Sequence, residues 1–221
     1  MRGPSHVRRN NYALALLLAA MALATLGCVP GGTGPFLSPP TAPVDHALVQ
    51  PTRVRKMGGD IVLSSAPAGA ELLTMGGNIT ITRATGYVAA TTMGGDIEID
   101  TLDASAHLQS YGGNITVFLM RPPSNEPREI NLRARGNLKL VIADSVSATF
   151  DIELGYGHDE PEEYFIQSDF PLTKTLSPWT RSVTNPVHPR QRIIAAGTVG
   201  GGRDLIRIRV ESGMVYLSRT P

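Results

Sequence analysis

Five residues, Met57-Gly58-Gly59-Asp60-Ile61, return as Met75-Gly76-Gly77-Asn78-Ile79, as Met93-Gly94-Gly95-Asp96-Ile97 and as Tyr111-Gly112-Gly113-Asn114-Ile115. Each interval is 18 residues. A fixed period of this kind restricts the fold more than any other feature of the chain, because a short repeated unit can bury its apolar side only against copies of itself.

The unit has an inner period of two. After each Gly-Gly pair the apolar residues alternate with polar ones, as Ile61/Leu63, Ile79/Ile81, Ile97/Ile99 and Ile115/Val117. A second alternating pair follows at Ala70/Leu72, Val88/Ala90 and Ala106/Leu108. Alternation with β-branched residues predicts strands, two per repeat, each with one apolar face and one polar face. A helix is excluded, since paired glycines would break it every 18 residues.

Two strands and two corners per equal unit predict an all-β, parallel β-helix-like solenoid with 18-residue coils. Each Ile would sit on the Ile of the next coil at the strand spacing of about 4.8 Å. Gly58, Gly59, Gly76, Gly77, Gly94, Gly95, Gly112 and Gly113 are then corner residues, where positive φ or close backbone approach favours glycine. Asp60, Asn78, Asp96 and Asn114 stack at the same corner, where short polar side chains bond the turn backbone. Their alternation keeps carboxylates apart.

Weaker echoes at Gly136-Asn137-Leu138-Lys139-Leu140 and Gly213-Met214-Val215-Tyr216-Leu217 extend the array, with Ile206, Ile208 and Val210 at second-strand positions. Val146, Ala148, Phe150, Ile152 and Leu154 predict one longer strand. Between them the period lapses, so 155–202 reads as an irregular insertion before the last coil, within a solenoid domain spanning 51–221.

The start of the chain reads differently. Arg2, Arg8 and Arg9 precede an apolar run from Tyr12 to Leu26, which ends in Leu26-Gly27-Cys28. This is a secretory signal over 1–27, too short for a comfortable membrane span. The only cysteine stands at its cleavage site and resembles the lipidation site of a bacterial lipoprotein, which implies that Cys28 carries lipid. Residues 28–50, with prolines at 30, 35, 39, 40 and 43, form a tether rather than a packed element.

At the repeated motif the chain resembles the bacterial adhesin-like β-strand-repeat family, a domain family of unknown function found on exported or lipid-anchored proteins. The motif is a small residue followed by Gly-Asp/Asn-Ile-x-Ile, and the resemblance covers roughly 52–154 and 203–219. It implies a right-handed β-helix-like solenoid and a place in the cell envelope, tied to the bacterial membrane by the lipid. It does not fix a chemistry.

Composition narrows the function classes. Twenty Lys+Arg against 19 Asp+Glu is far from the basic balance of a nucleic-acid binder. Loss of 1–27 removes three arginines and leaves the body slightly acidic, so membrane attachment would rest on acyl chains rather than charge. One cysteine excludes a disulfide framework.

Four clusters are candidate sites. Calcium-binding nonapeptide repeats need Gly-Gly-x-Gly-x-Asp, whereas here the acid follows the second Gly directly and alternates with Asn, so a calcium ladder is not expected. His158, Asp159, Glu160, Glu162 and Glu163 form the densest acidic run, which reads as a solvated loop. Glu98 and Asp100 share an outer strand face, the arrangement a carboxylate-using polysaccharide enzyme would need, yet neighbouring coils carry Thr80/Thr82 and Thr116/Phe118 there. His46, His107 and His188 are isolated. Arg203, Arg207, Arg209 and Arg219 form a basic patch that protects an end strand or meets an anionic surface.

The expectation is therefore a non-catalytic, lipid-anchored envelope protein that needs no cofactor and presents its outer faces to an envelope glycan or protein. The alternatives are a structural or signalling module of the envelope, or a β-helical enzyme acting on polysaccharide.

Overall fold

The computed structural model describes residues 50–120, 126–157, 165–180 and 190–220. These lie in one compact unit, His46–Pro221. The expected signal peptide, Cys28, most of the tether, His46, His188 and the His158–Glu163 run fall outside the described residues.

The four clear repeats yield β1 (Thr52–Lys56), β2 (Ile61–Ala66), β3 (Ala70–Thr74), β4 (Ile79–Ala84), β5 (Val88–Thr92), β6 (Ile97–Leu102), β7 (Ala106–Ser110) and β8 (Ile115–Leu119). They are followed by β9 (Glu129–Ala134), β10 (Leu138–Ile142), β11 (Ala148–Gly157), β12 (Ile166–Ser168), β13 (Thr173–Leu176), β14 (Arg190–Val199), β15 (Asp204–Val210) and β16 (Val215–Arg219). Among the described residues there is no helix, and the protein is all-β.

The strands form two long sheets. One has the order β1-β3-β5-β7-β9-β15-β11-β14-β13, the other β12-β16-β10-β8-β6-β4-β2. Pairing is parallel throughout except where β14 meets β11 and β13. Hydrogen-bonded neighbours are repeat equivalents. Ile61 faces Ile79, Ile79 faces Ile97, Ile97 faces Ile115, Ile115 faces Leu138, and Leu138 faces Val215. All six are buried, and with Ala70, Leu72, Val88, Ala90, Ala106 and Leu108 of the other sheet they belong to one core. Burial of each Ile is worth about 1.5–3 kcal/mol relative to exposure, which explains why the alternation holds its register.

The segment 155–202 corrects the expectation of an irregular insertion. Its described parts hold the end of β11, then β12, β13 and β14. β14 lies antiparallel against β11 over ten residue pairs, from Ala148↔Val199 to Gly157↔Arg190. The repeat motif is absent because an antiparallel partner needs no Gly-Gly corner at a fixed interval. The chain then returns, and β15 enters between β9 and β11 while β16 enters between β10 and β12. The head of β15 is fixed by a buried ion pair. Arg128 is 4% and Asp204 2% exposed. The Arg128 Nε–H donates to Asp204 Oδ2 at 2.9 Å, and the Arg128 backbone N–H donates to Oδ1 at 3.1 Å. The Arg128 Nη1–H donates to the Met120 carbonyl at 2.7 Å.

Candidate functional site

The repeated corner divides its two glycines between different tasks. A Cβ on Gly77 would fall inside the Gly59 carbonyl group and 2.7 Å from the Asp60 nitrogen. Gly95 would meet Gly77 and the Asn78 side chain in the same way, and Gly113 would meet Gly95. At Gly77, Gly95 and Gly113 the second glycine is therefore imposed by the closeness of successive corners, whereas a Cβ on Gly59 would meet nothing within 4 Å. The first is not, since a Cβ on Gly58 or Gly76 would meet nothing within 4 Å and one on Gly94 only atoms at 3.9 Å. Gly112 is tighter, at 3.1 Å from the Met93 carbonyl oxygen. Of the eight, Gly59 alone takes a positive φ, +84°.

The Asp/Asn row bonds between turns rather than within one. The Asn78 N–H donates to Asp60 Oδ1 at 2.7 Å, the Asp96 N–H to Asn78 Oδ1 at 2.9 Å, and the Asn114 N–H to Asp96 Oδ1 at 2.7 Å. The row continues through the Asn137 N–H to Asn114 Oδ1 and the Met214 N–H to Asn137 Oδ1, both at 2.8 Å. Stacking at strand spacing puts the next backbone amide closer to each side chain than the amides of its own turn. Because a carbonyl or carboxylate oxygen serves equally, Asp and Asn interchange along the row.

A second row lies inside. Thr74, Thr92 and Ser110 are buried. The Thr92 hydroxyl donates to the Gly77 carbonyl at 2.8 Å and accepts from the Gly95 N–H at 3.1 Å. Thr74 and Ser110 do the same between Gly59 and Gly77 and between Gly95 and Gly113. Their signal was a hydroxyl three residues before each second glycine, hidden by the polar character of the strand's outer face.

The arginine cluster is not a basic patch. Arg207 pairs with Glu129, Arg209 with Asp151 at 2.9 Å and Glu153 at 3.2 Å, and Arg219 with Asp144 at 3.2 Å. The Arg203 backbone N–H, ahead of β15, donates to Ser147 Oγ at 3.1 Å. Nor is β15 an end strand, so edge protection is not its role either. The parallel register brings arginines of β15 beside acids of β9 and β11, a proximity the linear sequence conceals. Edge charge sits instead on β1, which carries Arg53, Arg55 and Lys56.

Glu98 and Asp100 are exposed on the outer face of β6, as their spacing predicts. Among the described residues no three His, Cys, Asp or Glu side chains gather in a group able to hold a metal ion.

The two outer faces differ in how their polar groups are used. On the β1-to-β13 sheet, ion pairs link Arg53 to Glu71, Arg133 to Glu211 and Arg192 to Glu153, besides those of Arg207 and Arg209. On the other sheet the register aligns Thr80, Glu98, Thr116, Lys139, Tyr216 and Gln167 across six neighbouring strands. Within this row Thr80, Glu98, Thr116, Lys139 and Gln167 make no side-chain hydrogen bond or ion pair among the described residues. A shallow cavity of about 330 Å³ opens over the middle of the row, where Asp96, Asn114 and Asn137 form its corner side and Glu98, Lys139 and Tyr216 its floor. Lys139 and Tyr216 occupy the motif position of Glu98 in the two weaker repeats, so the row was legible once those repeats were placed in register.

No family model, no curated protein and no solved structure matches this chain.

Proposed function

We propose that the protein is a non-catalytic envelope scaffold of the adhesin-like β-strand-repeat kind, a right-handed solenoid of 18-residue coils held at a bacterial membrane by lipid on Cys28. The coil length is supported by the register, in which Ile61, Ile79, Ile97 and Ile115 face one another at intervals of 18 residues. The anchor is supported by the sequence around Cys28, with its basic head, short apolar run and Leu26-Gly27 before the cysteine.

One observation carries the binding role. The interior is filled by side chains, so a partner has only the outer faces, and of these one is crossed by ion pairs while the other leaves Thr80, Glu98, Thr116, Lys139 and Gln167 without side-chain partners among the described residues. Such groups cost nothing while hydrated and become available when a ligand displaces water.

The test is fractionation and protease accessibility of intact cells. The expected result is a membrane-bound chain released to the soluble fraction by Cys28→Ala, with mass spectrometry finding lipid on Cys28 as the first residue. An unprocessed chain, or a Cys28→Ala variant that fractionates like the wild type, refutes the anchor.

A further inference from the structure

We propose that the row Glu98–Thr116–Lys139–Tyr216 is a binding site for a neutral glycan chain lying across the strands. The inference rests on the binding-scaffold reading above and specifies its ligand.

Four features point to this class of ligand. First, the row repeats at the strand spacing of about 4.8 Å, close to the length of one pyranose unit, so a glycan running perpendicular to the strands meets an equivalent position at each sugar. Second, the groups alternate in kind: Glu98 accepts, Thr116 donates and accepts, and Lys139 donates. Sugar hydroxyls, which both donate and accept, can satisfy all three. Third, Tyr216 is half-buried at one end of the cavity and Phe118 half-buried one step further along β8, on the same outer face as Thr116. Aromatic rings beside hydrogen-bonding groups suit the apolar face of a pyranose. Fourth, the corner side of the cavity adds Asp96, Asn114 and Asn137, whose Oδ1 atoms are engaged by backbone amides while the other Asp96 oxygen and the Asn137 amide group have no partner among the described residues.

The charges exclude the obvious competitors. Asp96 and Glu98 face Lys139 as two acids against one base, which disfavours phosphate and uronate chains at the same place. A protein strand would add to an edge through its backbone, and β6, β8 and β10 are all interior strands. A protein docking on the face would want an apolar centre, whereas the charged Glu98 and Lys139 stand in the middle of this row.

The test is calorimetric or NMR titration of the full chain in mild detergent with chitohexaose, cellohexaose and hexagalacturonate. A neutral oligosaccharide is expected to bind in the micromolar to millimolar range, and hexagalacturonate to bind more weakly. Tyr216→Ala should weaken binding about tenfold, a change of ~1.4 kcal/mol. The paired exposed changes Glu98→Ala and Lys139→Ala should weaken it by a similar factor without disturbing the core, so they decide the matter if Tyr216→Ala fails to fold. His107→Ala, exposed on the opposite sheet, should leave affinity unchanged. No binding of either neutral oligosaccharide at millimolar concentration overturns the proposal, as does preference for hexagalacturonate or an equal loss in His107→Ala. Membrane release by Cys28→Ala is read separately, so the site and the anchor can fail independently.

Discussion

Gly76 and Gly77 are adjacent in the chain, share the same motif, and should respond oppositely to the same methyl group. In Gly77→Ala the new Cβ falls inside the Gly59 carbonyl group and 2.7 Å from the Asp60 nitrogen. Both obstacles are backbone, so no side chain can rotate away, and relief requires the corners to separate. Separation would also lengthen the Asn78 N–H to Asp60 hydrogen bond, now 2.7 Å, and the Thr74 bridge between the same turns. Overpacking a rigid site costs typically ~1–3 kcal/mol, and with hydrogen bonds lost besides we expect ~3–5 kcal/mol here. In Gly76→Ala the methyl enters open space at an ordinary φ. That change restricts only the unfolded chain and should stabilise by roughly 0.4–1 kcal/mol. With a urea slope near ~2 kcal/mol per molar for a domain of this size, the two unfolding midpoints should differ by about 2 M. Equilibrium unfolding followed by far-ultraviolet circular dichroism measures this directly. Midpoints within a few tenths molar of each other would refute the assignment of close approach to the second glycine.

The remaining expectations test the hydrogen-bond rows and the buried pair. The double change Asp60→Asn with Asp96→Asn should leave the melting temperature almost unaltered, since an amide oxygen accepts the same backbone N–H, and chelator should not lower the wild-type value. A drop of several degrees in chelator that millimolar calcium reverses would reassign the corner to metal binding. Thr92→Val keeps the shape but strands the Gly77 carbonyl and the Gly95 N–H, at a cost of about 1–3 kcal/mol; hydrogen exchange at the Gly95 amide should accelerate, and an unchanged rate would dismiss the inner row. Arg128→Met leaves the Asp204 carboxylate buried without its partner and should cost ~3–5 kcal/mol, while Arg128→Met with Asp204→Leu should recover much of that. A double variant no more stable than the single one in denaturant would contradict this reading.

What the sequence revealed was whatever repeated. The strands, their inward faces and the stacking of Ile61 through Ile115 follow from two periods, one of two residues and one of 18, that need no knowledge of distant contacts. What stayed hidden depends on partners far apart in the chain. Arg128 and Asp204 are 76 residues apart, and nothing local marks either as buried. The arginines of β15 look unsatisfied until the register sets them beside Glu129, Asp151 and Glu153. Strand β14 escaped notice because its inward residues are few, Ile193 and Ala195, and its partner runs antiparallel. The candidate glycan row was half visible: Glu98 stood out as an acid, but Lys139 and Tyr216 join it only through β10 and β16, whose motifs are degraded.

The position of β15 and β16 sets a condition on biosynthesis. The first eight strands can be laid down in the order in which the ribosome delivers them, each new pair finding a finished template. After β10 that sequence is suspended. β11 and β14 can zip together as a hairpin, but the far sides of β9 and β10 stay open until the polypeptide has been made through Arg219. The final strands act as a keystone rather than a tail. A transcript ending before Asp204 would release a chain with two unfinished sheets and a loose hairpin, exposing strand edges of the kind that aggregate or invite proteolysis. Translation through β16 and completion of both sheets are thereby the same event, and a cell that degrades open-edged chains would retain only copies translated at least that far.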